Sequence, residues 1–159
     1  MYKFLIRPIL FSIDPERVHY LILNGLKFLL KIPFFAPFFR LIFQKKHASL
    51  EKKLFGINFP NPVGLAAGFD KNGKYINELS TFGFGFIEIG TITPLEQPGN
   101  PKKRVFRLPQ DNALINRLGI NNEGSEACAE RLKKLKSTNI IGGNIGKNTT
   151  TSNGNAAND

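Results

Sequence analysis

The stretch that decides the fold of this chain is residues 61–71, Asn-Pro-Val-Gly-Leu-Ala-Ala-Gly-Phe-Asp-Lys. Its apolar and small residues, 63–67, predict a short strand buried on both faces, and Pro62 stands at its start, where proline is tolerated. Asp70 and Lys71 follow just past the carboxyl end of this strand. In parallel α/β proteins ligands bind beyond that end, so the stretch indicates either a site for an anion or an electron-rich ring, or a strand followed by a solvated lysine.

The same pattern, a strand that ends in glycine and polar residues, occurs twice more downstream. Residues 86–91 and 139–147 predict the second and third strands, and residues 74–82 and 125–136 predict helices between them. A small hairpin arm is predicted at residues 54–59. Alternation of this kind is typical of a parallel sheet or barrel with its site at the strand tips. A (β/α)₈ barrel takes about 250 residues, so this chain is expected to hold only its first strands.

Two segments between these elements carry polar groups suited to binding. Residues 93–104 form a long loop rich in proline, and loops of that length in a compact domain are usually functional. Residues 116–122 read Asn-Arg-Leu-Gly-Ile-Asn-Asn, and their amides can donate and accept hydrogen bonds, as recognition of a planar polar molecule requires. Residues 149–159 are polar, have no apolar period and predict no further element.

Composition limits the kind of protein this is. A chain of 159 residues with 42% hydrophobic content is long enough for one domain with a core. The single cysteine excludes an internal disulfide, and its helical spacing with two leucines favours a core position for Cys128 over a nucleophile. The formal net charge is +10, of which ten basic minus three acidic residues in the first 53 supply +7. Nucleic-acid binding is not predicted, because these basic residues stand among aliphatics with no recognition motif.

The first 46 residues differ from the rest and hold eight of the fifteen phenylalanines. Asp14-Pro15-Glu16 is typical of a helix start, and the apolar period continues to residue 31. A second helix is predicted from Pro37. Charged residues interrupt every apolar run before the ~20 residues that a membrane span needs. Residues 1–46 are therefore expected to be an amphipathic helical segment that lies in a lipid interface, or a cap that packs on protein, followed by a second domain at 54–159.

Taken together, these motifs resemble the N-terminal part of dihydroorotate dehydrogenases of the membrane-associated, quinone-dependent class. The resemblance runs from Tyr2 to about Asn148, and its strength is the number of separate motifs in the right order. They are Asp14-Pro15-Glu16-Arg17 with His19, the stretch 61–71, residues 83–93, Gln97-Pro98-Gly99-Asn100, Phe106-Arg107-Leu108, residues 116–122, and Asn144-Ile145-Gly146-Lys147-Asn148. Two positions depart from the usual pattern of the family. Lys103 stands before Arg104 where a proline is common, and Gly143 stands where a larger apolar residue is common.

The resemblance implies an α/β protein with an FMN-containing (β/α)₈ TIM-type barrel, which oxidises dihydroorotate to orotate in pyrimidine synthesis and passes the electrons to a membrane quinone. It implies a peripheral membrane protein on the cytoplasmic face of a bacterial inner membrane. The family's serine base belongs in a strand after Asp159, so no catalytic base is expected in this chain, and as a fragment it is expected to be inactive alone. Two alternatives stay open: a soluble-class flavin-dependent barrel dehydrogenase, and a non-catalytic membrane-surface binding module.

The resemblance also implies roles for single residues. The implied flavin contacts are Ala67, Gly68, Phe69, Asp70, Lys71, Thr91 and Asn144. The implied substrate contacts are Lys71, Asn116, Arg117, Leu118, Gly119 and Ile120. His19 and Arg107 would line a quinone tunnel, and no metal ligands are implied. Plainer roles stay open for four residues: His19 on a helix flank, Arg107 paired with Glu88, and Asn121 and Asn122 as caps of the following helix.

Overall fold

The structure is a computed structural model that describes residues 1–159. Its helices, in chain order, are α1 (Arg7–Ser12), α2 (Pro15–Leu29), α3 (Phe35–Phe43), α4 (Ile76–Leu79) and α5 (Gly124–Lys133). Its strands are β1 (Lys52–Leu54), β2 (Ile57–Phe59), β3 (Gly64–Leu65), β4 (Phe86–Ile92), β5 (Val105–Leu108), β6 (Ala113–Asn116) and β7 (Ile140–Ile145). A π-helical turn at Tyr2–Ile6 and short 3₁₀ turns at Ala48–Leu50, Ser80–Phe82 and Asn153–Asn158 complete the elements.

The three predicted strands form one parallel sheet in the order β3-β4-β7. The predicted alternation of strands and helices is confirmed, and the sheet is open rather than closed into a barrel. The prediction of a first strand buried on both faces is wrong, since β3 is only two residues long and Val63 is 62% exposed. The reason is that β3 is an edge strand with one neighbour. Gly64 is required there, because a Cβ would lie 2.2 Å from the ring of Phe86 on β4.

The hydrophobic core lies between this sheet and helices α2, α4 and α5. Its buried members are Leu23, Tyr75, Ile76, Leu79, Ile87, Ile89, Ile92 and Cys128. The prediction that Cys128 is a core residue is confirmed, since its side chain is buried among these residues. Leu23 is the buried residue of α2, so this helix is a wall of the core. The position of α2 relative to the strand tips is therefore set by packing.

The N-terminal segment contains more helix than predicted. The predicted helix at residues 15–31 is α2. The second helix, α3, begins two residues before Pro37, and the residue that precedes it, Phe34, has a left-handed backbone conformation. The turn at Tyr2–Ile6 and α1 were not predicted, because each is too short to display a helical period. The rings of Phe39 and Phe43 pack on Phe82, so α3 is docked on the 3₁₀ turn after α4. None of the helices has the length and apolar character needed to cross a membrane.

The remaining connections differ from the sequence-based expectations in two places. The predicted hairpin arm at residues 54–59 is the antiparallel pair β1 and β2, which begins at Lys52. A second antiparallel pair, β5 and β6, was not predicted as a hairpin, because all four residues of β6 are exposed and show no alternation. The polar C-terminal residues form a 3₁₀ turn, and the carboxylate of Asp159 accepts hydrogen bonds from the amide of Asn148 and the hydroxyl of Thr151.

An ion pair between residues 88 positions apart anchors the start of α2. The guanidinium of Arg104 donates from Nε and Nη2 to the two carboxylate oxygens of Glu16, at 3.0 and 2.6 Å. Its Nη1 donates to the carbonyls of Pro98 and Asn100. Arg104 is only 6% exposed. This hydrogen-bonded pairing lowers the pKa of Glu16, so the helix and the long proline-rich loop are held together by a nearly dry, two-pronged contact.

We expect Glu16→Gln to lower the free energy of unfolding by about 3 kcal/mol, because Arg104 would then be buried without its counter-charge. The pKa of Glu16 lies below its ordinary value of 4.5. The stabilisation is therefore complete above about pH 4.5 and is lost as the pH falls through the lower pKa of the folded state. Urea unfolding, followed at neutral and acidic pH, measures both effects.

The matched control is Glu130→Gln, which removes a carboxylate from an exposed pair with Lys133 on α5. Such a pair contributes less than about 0.5 kcal/mol. The assigned role of the pair would be contradicted if both variants lost the same free energy of unfolding. It would also be contradicted if the stability difference between Glu16→Gln and the unmodified protein stayed the same in acid.

Candidate functional site

A cavity of about 240 Å³ lies where α2 passes over the turn that follows β3. Three elements form its walls: the start of α2, the turn itself, and the β5–β6 hairpin with the loop after it. Its lining residues are Pro15, Glu16, His19, Tyr20, Gly68, Phe69, Asp70, Lys71, Asn72, Lys74, Tyr75, Val105, Leu114, Leu118 and Asn121. The cavity thus lies at the carboxyl end of a parallel strand, where the sequence predicts a site.

Asp70 shapes the turn that borders this cavity. Its side chain is 3% exposed, and its two carboxylate oxygens accept hydrogen bonds from the backbone amides of Lys74 and Tyr75 at 2.8 and 2.7 Å. Burial raises the pKa of Asp70, and the two amides act in the opposite direction. The carboxylate is thus engaged by its own turn, and its effect on the cavity is to hold Lys71 in place at the edge of it.

Lys71 is half-buried and has no carboxylate partner. Its ammonium donates to Oδ1 of Asn121 at 2.8 Å, a neutral acceptor. Burial lowers the pKa of Lys71, the positive charge of Arg104 lowers it further, and Glu16 acts in the opposite direction. An ammonium that has lost part of its hydration and faces another cation is stabilised by an anion, so this position suits a negatively charged ligand.

The two residues predicted to line a quinone tunnel lie in different places. His19 lines the cavity, and its ring meets the ring of Phe69 edge to face at 4.9 Å. Burial lowers the pKa of His19 from 6.5, so at neutral pH the imidazole is uncharged and donates one N–H. Arg107 lines a separate cavity, donates to the carbonyls of Phe11 and Ile13, and stacks on the Phe11 ring.

The tips of the three parallel strands adjoin one another. The hydroxyl of Thr91, near the end of β4, donates to the side-chain oxygen of Asn144 on β7, and the amide of Gly68 donates to the carbonyl of Gly90. Asn144 donates in turn to Glu88. No ion pair joins Glu88 to Arg107, which was the plainer role left open for Arg107. No atom lies within 4 Å of the position that a Cβ on Gly68 would take. The strand tips therefore face open space beside the small residues Ala67 and Gly68.

The predicted substrate contacts at residues 116–120 are only partly brought to this cavity. Leu118 lines it, whereas Asn116 and Arg117 are exposed at the end of β6. Gly119 and Ile120 lie in the loop that follows, both with positive φ. No hydrogen bond joins Lys71, Asn116 and Asn144 to one another; Lys71 is joined to Asn121, which the sequence-based reasoning did not assign to the site.

A buried polar network behind the cavity was also missed. Asn122 accepts from the amides of Thr93 and Gly124 and donates to the carbonyl of Ile120. Gln97 accepts from Asn148 and donates to the same carbonyl. All side-chain polar atoms buried in the structure have a partner. The available signal was the presence of amides in three separate loops, because buried amides must pair with one another or with backbone.

Asn122 therefore does more than cap the next helix. Its side-chain oxygen accepts the amide of Gly124, the first residue of α5, although the N-cap position itself is occupied by Glu123, which makes no side-chain cap bond. Its other bonds connect the loop after β4 to the loop after β6, and Asn148 extends the connection to the end of β7 through Leu95 and Gln97. The loops around the strand tips are thereby fixed relative to one another.

Comparison with known proteins places this geometry in a family. The family model described as dihydroorotate dehydrogenase matches residues 49–158. A dihydroorotate dehydrogenase (quinone) of Christiangramia forsetii is 58% identical over 159 residues, which is all of this chain and 46% of that protein. One of Coxiella burnetii, strain Dugway 5J108-111, is 52% identical over 153 residues, 95% of this chain and 42% of that protein.

The architecture agrees with a solved member. The crystal structure of dihydroorotate dehydrogenase from Eimeria tenella in complex with ferulenol is similar with a TM-score of 0.75 and 39% identity, over 92% of this chain and 39% of that one. The ligand-free form from the same organism has a TM-score of 0.71. This chain spans less than half the length of the curated relatives it matches. On the strength of the family model and these identities, the chain belongs to the dihydroorotate dehydrogenase family.

Proposed function

We propose that this chain supplies the flavin-binding strand tips and part of the dihydroorotate site of a quinone-dependent dihydroorotate dehydrogenase. The observation that carries the proposal is Lys71, a half-buried ammonium without a carboxylate partner at the end of a parallel strand. Dihydroorotate is an anion with a carboxylate on a flat ring, and that carboxylate is the partner that Lys71 lacks. The names of the relatives, which span more than this chain, support the same assignment.

The strand tips have the chemistry that FMN requires. Ala67 and Gly68 are small and border open space, so a planar ring can approach the backbone closely. Phe69, Asp70 and Lys71 line the adjoining cavity, and the amide and hydroxyl of Asn144 and Thr91 provide polar contacts. We assign these residues to the flavin. When bound there, FMN would supply the two-electron redox chemistry that connects substrate and quinone.

The chain's own residues position the substrate. Lys71 holds the substrate carboxylate, and Asn121 keeps the ammonium aimed at it. Asn116, with the backbone through Arg117, Leu118, Gly119 and Ile120, is assigned to the pyrimidine ring. Those assignments require the exposed end of β6 to turn toward the ligand. Following the family resemblance, we assign the removal of the substrate proton to a serine base in a strand after Asp159.

The first test uses a chimera in which residues 1–159 replace the matching region of the Christiangramia forsetii relative. We expect Lys71→Gln in this chimera to weaken orotate binding by roughly 10- to 150-fold, since a hydrogen bond between charged groups contributes about 1.5–3 kcal/mol. Orotate affinity is measured by titration of the flavin absorbance, and flavin content by its release on heating.

Lys133→Gln is the matched control, because Lys133 is an exposed lysine on α5 and lies outside the cavity. If Lys71→Gln and Lys133→Gln bind orotate equally well, Lys71 does not hold the substrate. If the chimera takes up no flavin at all, the chain is better described as the non-catalytic membrane-surface module.

We assign the quinone to the space beneath α2, next to His19, with Arg107 fixing the α1–α2 junction that borders its entrance. Because burial lowers the pKa of His19, its imidazole is uncharged and carries one N–H. In the bound state that N–H would be donated to a quinone carbonyl in place of the backbone of Phe69, with which the ring interacts in the structure. In the chimera, His19→Phe is expected to raise the KM for quinone by about 3- to 10-fold, the equivalent of one neutral hydrogen bond. Steady-state kinetics with varied quinone give this value.

The second histidine offers a control for this substitution. His47 is exposed and its side chain contacts only Ser49, so His47→Phe should leave both KM values unchanged. If His19→Phe raised the KM for dihydroorotate as much as the KM for quinone, the residue would act on the substrate site or on folding. That result would exclude a role specific to the quinone.

We further propose that the N-terminal helices lie in a lipid interface, on the cytoplasmic face of a bacterial inner membrane. Phe34 and Leu41 are 84% and 79% exposed, and most of their neighbours on the segment are also apolar and exposed. The double variant Phe34→Ser, Leu41→Ser is expected to weaken binding to phospholipid vesicles by at least about tenfold, because each inserted side chain contributes about 1.5–3 kcal/mol.

Sedimentation of the intact protein with vesicles measures this effect. Phe55→Ser, Leu95→Ser is the matched control, since it removes two apolar side chains of similar exposure outside the N-terminal helices. The soluble-class alternative predicts no vesicle binding by any of these proteins, and equal weakening by the two double variants would place the contact surface elsewhere.

A further inference from the structure

A second cavity lies beside the candidate site and belongs to none of the functions assigned above. It has a volume of about 610 Å³ and lies between α2, the turn before α4, and α5. Tyr20, Lys74 and Tyr75 line both cavities and so separate them. The remaining lining residues are Asn24, Lys27, Gly73, Ile76, Asn77, Arg131, Lys134 and Leu135. We call it the basic cleft, because four of its residues are lysine or arginine and none is acidic.

The positive charges of the basic cleft are not balanced. Glu123 stands behind it and forms ion pairs with Lys74 and Arg131, so one carboxylate serves two cations. Lys27 and Lys134 have no carboxylate partner. The four cations outnumber the carboxylates around this concave surface, which are Glu123 and the buried Asp70, whose charge acts on Lys27. Like charges held this close repel one another, so an anion placed among them would stabilise the arrangement.

One of these cations is fixed in place. The ammonium of Lys27 donates to the carbonyl of Lys74 at 3.1 Å and lies 5.5 Å from the centre of the Tyr75 ring. These contacts use one of its three N–H groups and leave two for a ligand. Because its side chain is already ordered against the turn, little conformational entropy remains to be lost when an anion binds.

The neutral groups of the cleft are also aligned as donors. The side-chain oxygen of Asn24 accepts the hydroxyl proton of Tyr75, which leaves the NH₂ of Asn24 unengaged. The side-chain oxygen of Asn77 accepts the amide of Lys136, which again leaves the NH₂. Two amides with their acceptor atoms occupied and their donors open add to the lysines around them. The cleft therefore presents hydrogen-bond donors almost exclusively.

A phosphate group matches this surface better than other ligands. It carries up to two negative charges and three or more acceptor oxygens, which agrees with the excess of positive charge and the surplus of donors. A metal ion is excluded by the same charges, and an apolar ligand would leave the donors without partners. We propose that the basic cleft binds a phosphate group, presented either by a phospholipid head group at the membrane surface or by a soluble phosphate. This inference does not depend on the flavin or substrate assignments.

The test compares two double variants of the intact protein. Lys27→Gln, Lys134→Gln removes the two unpaired lysines of the cleft. Lys31→Gln, Lys133→Gln removes a lysine two residues after the end of α2 and the last residue of α5, neither of which lines the cleft. Binding of inorganic phosphate is measured by isothermal titration calorimetry, and binding to vesicles of phosphatidylcholine with phosphatidic acid by sedimentation.

We expect the cleft variant to weaken phosphate binding by at least about tenfold and the control variant to change it less than about twofold, with affinity falling as salt is raised. If inorganic phosphate binds and also displaces the protein from vesicles, the source is interchangeable; if only the vesicles discriminate between the two variants, the ligand is a lipid head group. Equal behaviour of the two variants in both assays overturns the proposal, as does an absence of saturable binding in both assays.

Circular dichroism and thermal unfolding of both variants show whether each is folded. A cleft variant that fails to fold is replaced by Lys134→Gln alone, since Lys134 is exposed and forms no ion pair. The same comparison with Lys133→Gln then decides the outcome. Orotate binding and flavin content are read in parallel. If orotate binding or flavin content is lost while phosphate binding is unchanged, the proposed enzymatic function is contradicted and the phosphate proposal stands.

Discussion

The buried contact between Glu16 and Arg104 is the constraint on which the arrangement of this chain depends. Sequence places one partner in the first turn of a helix and the other at the end of a proline-rich loop. Two parallel hydrogen bonds in a nearly dry environment hold the pair together, and Arg104 uses its remaining nitrogen to organise its own loop through Pro98 and Asn100. The start of α2 is thereby fixed beside the strand tips, while Leu23 fixes its middle in the core.

This arrangement also explains the electrostatics of the candidate site. Arg104 lies close enough to Lys71 to lower its pKa, and Glu16, the counter-charge of Arg104, partly compensates. Lys71, which lines the cavity, has only an amide for a partner, whereas Arg104 lies outside the lining and is paired with Glu16. His19 is uncharged at neutral pH because it is buried against Phe69, so the two sides of the cavity differ in charge. An anionic ligand is favoured on the Lys71 side and an uncharged one on the His19 side.

Local sequence signals were sufficient for the central sheet and for α2. Glycines at the strand ends, β-branched residues in the strands and Asp14-Pro15 at the helix start each act over a few residues, and their consequences were predicted. The network around Asn122 depends on Thr93, which lies 29 positions away, and nothing near Asn122 in the chain specifies that partner. The β6 strand pairs with the nearby β5, but its four residues are all exposed and show no alternation that would indicate a strand.

The site residues show the same division. Lys71 was predicted from its place after a strand, which is a local property, and it lines the cavity. Its partner Asn121 lies 50 positions away, and only the fold brings the two together. Arg107 was predicted from a motif alone; its position on the carbonyls of Phe11 and Ile13 follows from the unpredicted α1. Residues assigned by motif therefore need the tertiary structure before their contacts can be stated.

The outer side of β7 has a consequence for how the chain behaves during synthesis. Only β4 pairs with this strand, so its other row of amide and carbonyl groups is exposed, and Ile145 near its end is 83% exposed. An exposed edge strand of this kind can form hydrogen bonds with any extended segment that reaches it. During translation that segment can come from the same polypeptide or from a neighbouring nascent chain. A chaperone bound at this edge strand would therefore favour correct folding over aggregation.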